Sequence, residues 1–325
     1  MEEEKLIKDF IGDITMDSVL ILGGAGYLGS RLTQTLLKEN YKVCVFDKCL
    51  YGRSSLISFV CDENFSFIDG DVRDDEVLIN SIKKFNIIIN LASLVGATLC
   101  NKNPIDAFLT NHRSAQIIKD NLSKEQVLLF NNTNSGYGQT DGKSMCTEES
   151  PLTPISLYGK TKCAAEELTR EHHNHLIFRL ATIFGASQRP RTDLLINNLV
   201  LKALKDKSIV LYESSFMRNY LYIQDYCDAV IFSLKNWEKV KNKKFNLGND
   251  SINCSKLDLV KKIQEHIPCE IIKAEINSDK DMRNYIVSSQ KFYNNGFKCS
   301  YDLDYGIKEL IKMYELIDVP VNANY

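Results

Sequence analysis

Ser18-Val-Leu-Ile-Leu22 runs directly into Gly23-Gly-Ala-Gly-Tyr-Leu-Gly29, and that into the helical pattern Ser30-Arg-Leu-Thr-Gln-Thr-Leu-Leu-Lys38. An apolar run of strand length, a glycine-punctuated turn and an amphipathic helix are the opening of a parallel β-α unit. Glycines at 23, 26 and 29 permit a tight turn, close backbone approach to a pyrophosphate and close helix packing, and the helix N-terminus offers unpaired N–H groups to an anion. A second strand, Lys42-Val-Cys-Val-Phe46, is closed by Asp47, eighteen residues after Gly29. A carboxylate there accepts hydrogen bonds from an adenosine ribose and repels a 2′-phosphate, so the expected cofactor is NAD rather than NADP. Lys48 and Arg53 stand near enough in sequence to soften that choice.

Outward from this unit, strand-length apolar runs alternate with helical patterns. Strands are predicted near 18–22, 42–46, 65–68, 86–91, 126–131 and 175–180, with helices near 27–39, 73–84, 104–121 and 157–172. That alternation predicts a doubly wound α/β fold with a parallel sheet covered on both faces. Beyond about residue 181 the pattern turns mixed, with helices near 192–206, 224–236, 255–266 and 304–316 and short strand-like pieces such as Lys244-Phe-Asn-Leu247. The expected organisation is a helical N-terminal extension over 1–16, a Rossmann domain over 17–180 to which 219–250 partly returns, and a smaller α/β substrate domain over 181–325. In the extension, Ile7, Phe10, Ile11 and Ile14 recur at helical spacing behind an acidic head.

Forty basic and 42 acidic residues are intermixed to a net charge of −2. No electrostatic surplus points to nucleic acid or to an anionic membrane, and any anionic ligand must be held by local features. The ten cysteines are scattered from Cys44 to Cys299 without a C-x-x-C pair, as in proteins of a reduced compartment. The start lacks the basic and apolar regions of a signal peptide and no run of 18 apolar residues occurs, so a cytoplasmic location is expected. His172, His173 and His175 crowd near a predicted helix end, where a protonated imidazole suits the dipole, and no metal site is expected.

Tyr158-Gly-Lys-Thr-Lys162 follows Pro151 and Pro154 at the start of a predicted helix, so Tyr158 and Lys162 share one face. Tyrosine ionises near pH 10, and service as a base near neutrality requires the phenolate to be favoured by roughly 4 kcal/mol. A lysine ammonium one turn away, with the positive nicotinamide, supplies that preference. The pair lies behind Asn131-Asn-Thr133, at the end of a predicted strand.

Together these motifs resemble the extended short-chain dehydrogenases/reductases that modify nucleotide-sugars, and the likeness covers nearly the whole chain. The G-x-x-G-x-x-G spacing at 23–29 is the form that family uses. The resemblance implies a third catalytic group, Thr133, four residues before Tyr137-Gly138, whose hydroxyl would bind the sugar oxygen being oxidised. It implies cofactor contacts at Tyr27, Leu28, Asp71, Val72, Leu91, Ala92 and Ser93 besides those named above, with Asp71 either at the adenine edge or an ordinary turn residue. For the sugar-nucleotide it implies Thr133, Asn134, Ser135 and Thr182, then Arg191 and Asn197, with Arg218 and Arg283 as arginine forks for the diphosphate. Helices near 104–121 and 157–172 would pair with their copies in a homodimer.

Two departures from the family pattern matter. Dehydratases of the family carry Asp and Glu after the Thr, where this chain has Asn134 and Ser135, so dehydration lacks its acid and base. In Phe178-Arg-Leu-Ala-Thr-Ile-Phe-Gly185, Thr182 stands where an Asn usually contacts the nucleotide-sugar. Within the family the segments Asn132–Gly138, Met145–Pro151, Arg179–Thr182 and Arg191–Leu195 are similar to enzymes that oxidise C4 of GDP-D-glycero-α-D-manno-heptose for capsule synthesis. The resemblance thus implies C4 oxidation of a GDP-sugar. A nucleotide-sugar 4-epimerase, which returns the hydride to the opposite face, is the alternative, and a catalytically silent NAD-binding protein is disfavoured because Tyr158 and Lys162 are both present.

Overall fold

The computed structural model describes residues 18–140, 144–273 and 284–317. The expected helix over 1–16 and Arg283 lie outside the described residues. Seven parallel strands form the central sheet: β1 (Ser18–Leu22), β2 (Lys42–Asp47), β3 (Phe65–Asp69), β4 (Ile87–Asn90), β5 (Val127–Thr133), β6 (His175–Leu180) and β7 (Lys243–Leu247). Their order is β7-β6-β5-β4-β1-β2-β3. This is the doubly wound Rossmann-like arrangement expected from the alternation of elements.

Side-chain alternation explains why the sheet carries helices on both faces. Val19, Ile21, Val43, Val45, Ile87 and Ile89 enter one apolar cluster, whereas Leu20, Leu22, Cys44, Phe46 and Ile88 enter another. Strands buried on both faces read as continuous apolar runs, as Ile87-Ile-Ile89 does. The first cluster is covered by α1 (Tyr27–Lys38), and the second by α2 (Asp75–Ile82) and the last turns of α3, a helical run over 104–121. A π-turn, Leu109–Arg113, interrupts α3. On its far side α3 packs against α4 (Leu157–Arg170). That helix starts where it does because Ser156 accepts a hydrogen bond from the Gly159 N–H (3.1 Å), while Pro151 and Pro154 hold the preceding chain extended.

After β6 the chain builds a second layer over the carboxyl ends of the strands. Thr182–Phe184 pairs in parallel with Tyr220–Tyr222, α5 (Leu195–Asp206) packs on the C-terminal α8 (Leu303–Leu316), and α6 (Ile223–Lys235) returns to pack on α1. Lys243–Leu247 then adds to the free edge of β6, with Phe245 opposite Phe178. The largest apolar cluster runs without a break from Val19 to Ile263 of α7 (Lys256–Gln264) and Leu310 of α8. No described helix is long and apolar enough to cross a membrane.

Candidate active site

In a sheet of this order the topological switch falls between β1 and β4, and the crevice outside their carboxyl ends is where ligands of such sheets bind. A cavity of about 690 Å³ opens there. Its floor is the turn from β1 to α1. Gly23 has φ +82°, and a Cβ on it would come within 2.8 Å of the Ala92 nitrogen; one on Gly29 would meet the Gly23 carbonyl at 2.5 Å. The helix begins at Gly26 with no side-chain cap and no acidic residue in its first turn, so its terminal N–H groups are left to face the cavity. Asp47 ends β2, its carboxylate accepting hydrogen bonds from the Ala25 N–H (3.0 Å) and the Cys49 N–H (2.7 Å). Burial pushes the Asp47 carboxyl above its ordinary value against the pull of those two N–H groups.

Tyr27, Leu28, Val72, Leu91, Ala92 and Ser93 all line this end of the cavity with Asp71. The two cations that flank Asp47 in sequence are engaged elsewhere: Lys48 reaches Asp71 (3.2 Å) and Arg53 pairs with Asp69. Burial works against ionisation of Asp71 but is outweighed by hydrogen bonds from Arg73 and Lys48, which hold its carboxyl down to about 2. The loop after β4 is fixed by a residue the sequence reading missed. Asn111 is buried in the π-turn of α3, where Oδ1 accepts from Ser93 Oγ (2.9 Å) and the Leu94 N–H (2.8 Å) while Nδ2 donates to the Leu94 carbonyl (3.0 Å). π-turns recur at functional sites, but nothing in the local sequence announces one.

Tyr158 and Lys162 project into the middle of the cavity from α4, beside Thr133 at the end of β5. Tyr158 is half-buried; Lys162 is 3% exposed, its ammonium 4.2 Å from the centre of the Phe130 ring. With no ion pair among the described residues, burial drives the Lys162 ammonium down to about 7. Thr133 Oγ1 lies 3.0 Å from Ser135 Oγ and accepts from the Ser135 N–H (3.1 Å). Beneath this centre, Arg179 of β6 forms a buried ion pair with Glu166 of α4 (2.6 Å) and donates to the Tyr137 hydroxyl (3.0 Å), which in turn donates to Asn246 Oδ1 of β7 (2.6 Å). The chain of bonds ties α4, β6, β7 and the turn that follows β5 together.

The remaining wall carries Thr182, Arg191 and Arg218 together with Tyr51, Arg189, Lys256 and Tyr285. Arg191 is buried and held charged by Asp193 (3.0 Å from its Nε). Arg218 is buried 5.7 Å from the Tyr285 ring centre, and the Arg189 guanidinium lies 4.2 Å over the Tyr51 ring. Arg189 was legible as a neighbour of the Arg191 segment, but its stacking partner lies far off in sequence.

Two expected substrate contacts are corrected. Asn197 is fully buried away from the cavity, with Nδ2 donating to the Arg191 carbonyl (2.9 Å) and Oδ1 accepting from the Gly185 N–H (3.1 Å), so it braces the Arg191 loop instead of touching a ligand. Asn134 is 1% exposed and turns into the protein, leaving only Thr133 and Ser135 of that segment on the cavity wall. Six cationic side chains, Lys48, Lys162, Arg189, Arg191, Arg218 and Lys256, face three carboxylates, Asp47, Asp71 and Asp193, among the described lining residues. In a chain of net charge −2, this is a local concentration of positive charge suited to phosphates.

Comparison with known proteins gives concordant results. A model of the NAD dependent epimerase/dehydratase family matches residues 19–248. The low-salt glycan biosynthesis protein Agl12 of Haloferax volcanii is 27% identical over 313 residues, which are 91% of this chain and 98% of that protein. A putative UDP-glucose 4-epimerase of Methanocaldococcus jannaschii is 24% identical over 311 residues, 90% of this chain and 97% of its own. Among solved structures, the UDP-glucuronic acid 4-epimerase of Bacillus cereus, in complex with UDP-glucuronic acid and NAD, shares the fold with a TM-score of 0.81 over 92% of this chain and 100% of that one, at 21% identity.

Proposed function

The chain belongs to the NAD-dependent epimerase/dehydratase family, and from that premise we propose that it oxidises the C4 hydroxyl of a nucleotide-sugar, GDP-D-glycero-α-D-manno-heptose being the favoured substrate. It is an NAD-dependent enzyme of nucleotide-sugar modification. The observation that carries the reading is the convergence of Tyr158, Lys162 and Thr133 in one cavity, between an uncapped helix N-terminus and the basic wall of Arg191, Arg218 and Lys256.

The residues fit NAD. A Cβ on Gly26 would meet nothing of the protein closer than the Gly23 carbonyl at 3.2 Å, so the open side of that glycine belongs to the cavity, where a pyrophosphate can approach the backbone. Asp47 would take the adenosine ribose and Lys162 the nicotinamide ribose. When bound, NAD supplies a hydride acceptor. Tyr158, as phenolate, takes the proton from the sugar hydroxyl, and Thr133 orients that hydroxyl by hydrogen bonding. Lys162 contributes most as an ammonium, and a phenolate one helical turn away opposes the loss of its proton that burial promotes.

Of the carboxylates on the described cavity wall, Asp47 and Asp71 stand at the cofactor end and Asp193 is paired with Arg191. None is left beside Tyr158 to serve an elimination, which favours oxidation over dehydration. The GDP-heptose assignment rests on the motif resemblance at 132–138 and 179–182. A 4-epimerase reading is supported by the similarity to the putative UDP-glucose 4-epimerase of Methanocaldococcus jannaschii. A homodimer formed by α3 and α4 is supported by Ile105 and Phe108 of α3, which are 74% and 48% exposed. We read 17–180 as the NAD-binding domain, with 219–250 returning to it, and 181–325 as the sugar-nucleotide domain.

The test is mass spectrometry of products from GDP-, UDP-, CDP- and dTDP-sugars in heavy water, with reduced nicotinamide followed by absorbance. NADH accumulating with GDP-heptose until an external keto acid is added supports the dehydrogenase. Conversion to the C4 epimer at full rate with no net NADH supports the epimerase, and a product about 18 mass units lighter, the mass of one water, contradicts both.

A further inference from the structure

The opposite end of the sheet carries a second concavity that takes no part in the chemistry. It runs beneath the amino ends of β4, β5, β6 and β7, along Asn86, Gln126, Asn174 and Lys241. Its apolar floor is Phe85 and Leu122, both half-buried, with only the edges of the core residues Leu234 and Trp237 reaching the wall. At about 1360 Å³ it exceeds the range of roughly 300–1,000 Å³ usual for small-molecule sites. Five lysines, at 83, 124, 235, 239 and 241, face three acids, Asp120, Glu125 and Glu238. Lys235 and Lys241 are occupied by Glu39 and Glu238, whereas Lys83 and Lys124 form no ion pair among the described residues.

The described chain begins with Ser18, at the end of this groove. Ser18, the first residue of β1, accepts a hydrogen bond from the Asn86 N–H (3.1 Å), and Asn86 lies on the groove wall. The preceding segment, residues 1–17, carries Glu2, Glu3, Glu4, Asp9, Asp13 and Asp17 against Lys5 and Lys8, and its apolar residues Leu6, Ile7, Phe10, Ile11 and Ile14 recur at helical spacing. It is therefore complementary to the groove twice over, acidic to basic and apolar to apolar. Four strand spacings separate β1 from β7, roughly 19 Å. Seventeen residues in helical form span about 25 Å, enough to run the length of the groove.

We infer that residues 1–17 dock in this basal groove of their own chain, apolar face on Phe85 and Leu122 and acidic residues toward Lys83, Lys124 and Lys239. The inference is independent of the reaction, since groove and cavity lie at opposite ends of the strands. The experiment is carbodiimide cross-linking of the full-length protein, mixed from ¹⁴N- and ¹⁵N-labelled preparations and read by mass spectrometry. Links from the acids of 1–17 to Lys83, Lys124 or Lys239 within one isotopic chain are expected. Links to those lysines only between differently labelled chains would show a second copy in the groove and overturn the inference, as would links chiefly to lysines elsewhere or none at all. In K83E/K124E the remaining link to Lys239 should fall about fivefold, the effect of losing two exposed ion pairs. An unchanged yield would equally overturn it.

Discussion

The two ends of the active-site cavity are built from different materials. The cofactor end is made of backbone: the turn at Gly23–Gly29, the uncapped start of α1, and a carboxylate, Asp47, itself fixed by two N–H groups. The sugar end is made of side chains that arrive from separate segments, Thr133 from β5, Thr182 from the strand after β6, Arg191 from the following loop and Arg218 from beyond α5. Backbone sites demand a fixed local spacing and tolerate little else. Side-chain sites can exchange one residue at a time, which is how a single fold hosts different sugars without changing its cofactor.

This contrast can be broken most decisively at the junction of the two ends. Tyr158→Phe keeps the ring and removes the ionisable oxygen, so kcat should drop by about 10²–10⁴-fold, with NADH binding, followed by nicotinamide fluorescence, left intact. Loss of cofactor binding in step with turnover would mean that the junction is part of the cofactor site. At the cofactor end, Asp47→Ala should narrow the preference for NAD over NADP by about tenfold or more, the worth of a hydrogen bond to a charged group. Titration of both nucleotides against the variant checks this, and equal affinities in the unmodified protein would remove Asp47 from its role.

Lys162 gives a smaller effect whose sign depends on pH. Its ammonium is lowered by burial from 10.5 to about 7, so between those values the unfolded chain binds more protons than the folded one. The cost of burying the lysine is full below pH about 7, shrinks as pH rises and is gone near 10.5. Lys162→Met should therefore raise the Tm of the cofactor-free protein by about 2 °C or more at neutral and lower pH, with the gain fading toward pH 10, while turnover is lost. A gain independent of pH would point to packing alone. The smallest change belongs to the sugar end. Thr182→Asn should tighten nucleotide-sugar binding by about threefold through one added hydrogen bond, without altering NAD affinity.

The contrast also explains what could be read from the sequence. Strands β1 to β6 and the cofactor turn announce themselves because period, glycine spacing and the terminal acid are local properties. Lys244–Leu247 showed as a strand-like piece, but its place beside β6 depends on a pairing across more than sixty residues that no local pattern encodes. Asn197 and Asn134 were placed on the substrate by likeness of motif, yet each has an amide, which braces a loop or turns inward as readily as it binds a sugar. The stacking of Arg189 on Tyr51 and the anchoring of Leu94 by Asn111 join residues distant in sequence, and only the folded chain brings them together.

The position of β7 bears on how the protein is made. Its partner β6 ends at Leu180, and the strand that covers its edge is not complete until Leu247, 67 residues later. At translation rates of about 5–20 residues per second, the growing chain exposes an apolar, hydrogen-bonding edge for roughly 3–13 s. During that interval Arg179 already has Glu166 as a partner, but the hydroxyl of Tyr137 still lacks Asn246. The nascent enzyme is thus most open to wrong pairing, or to capture by a chaperone, after its cofactor half has emerged and before that last strand closes it.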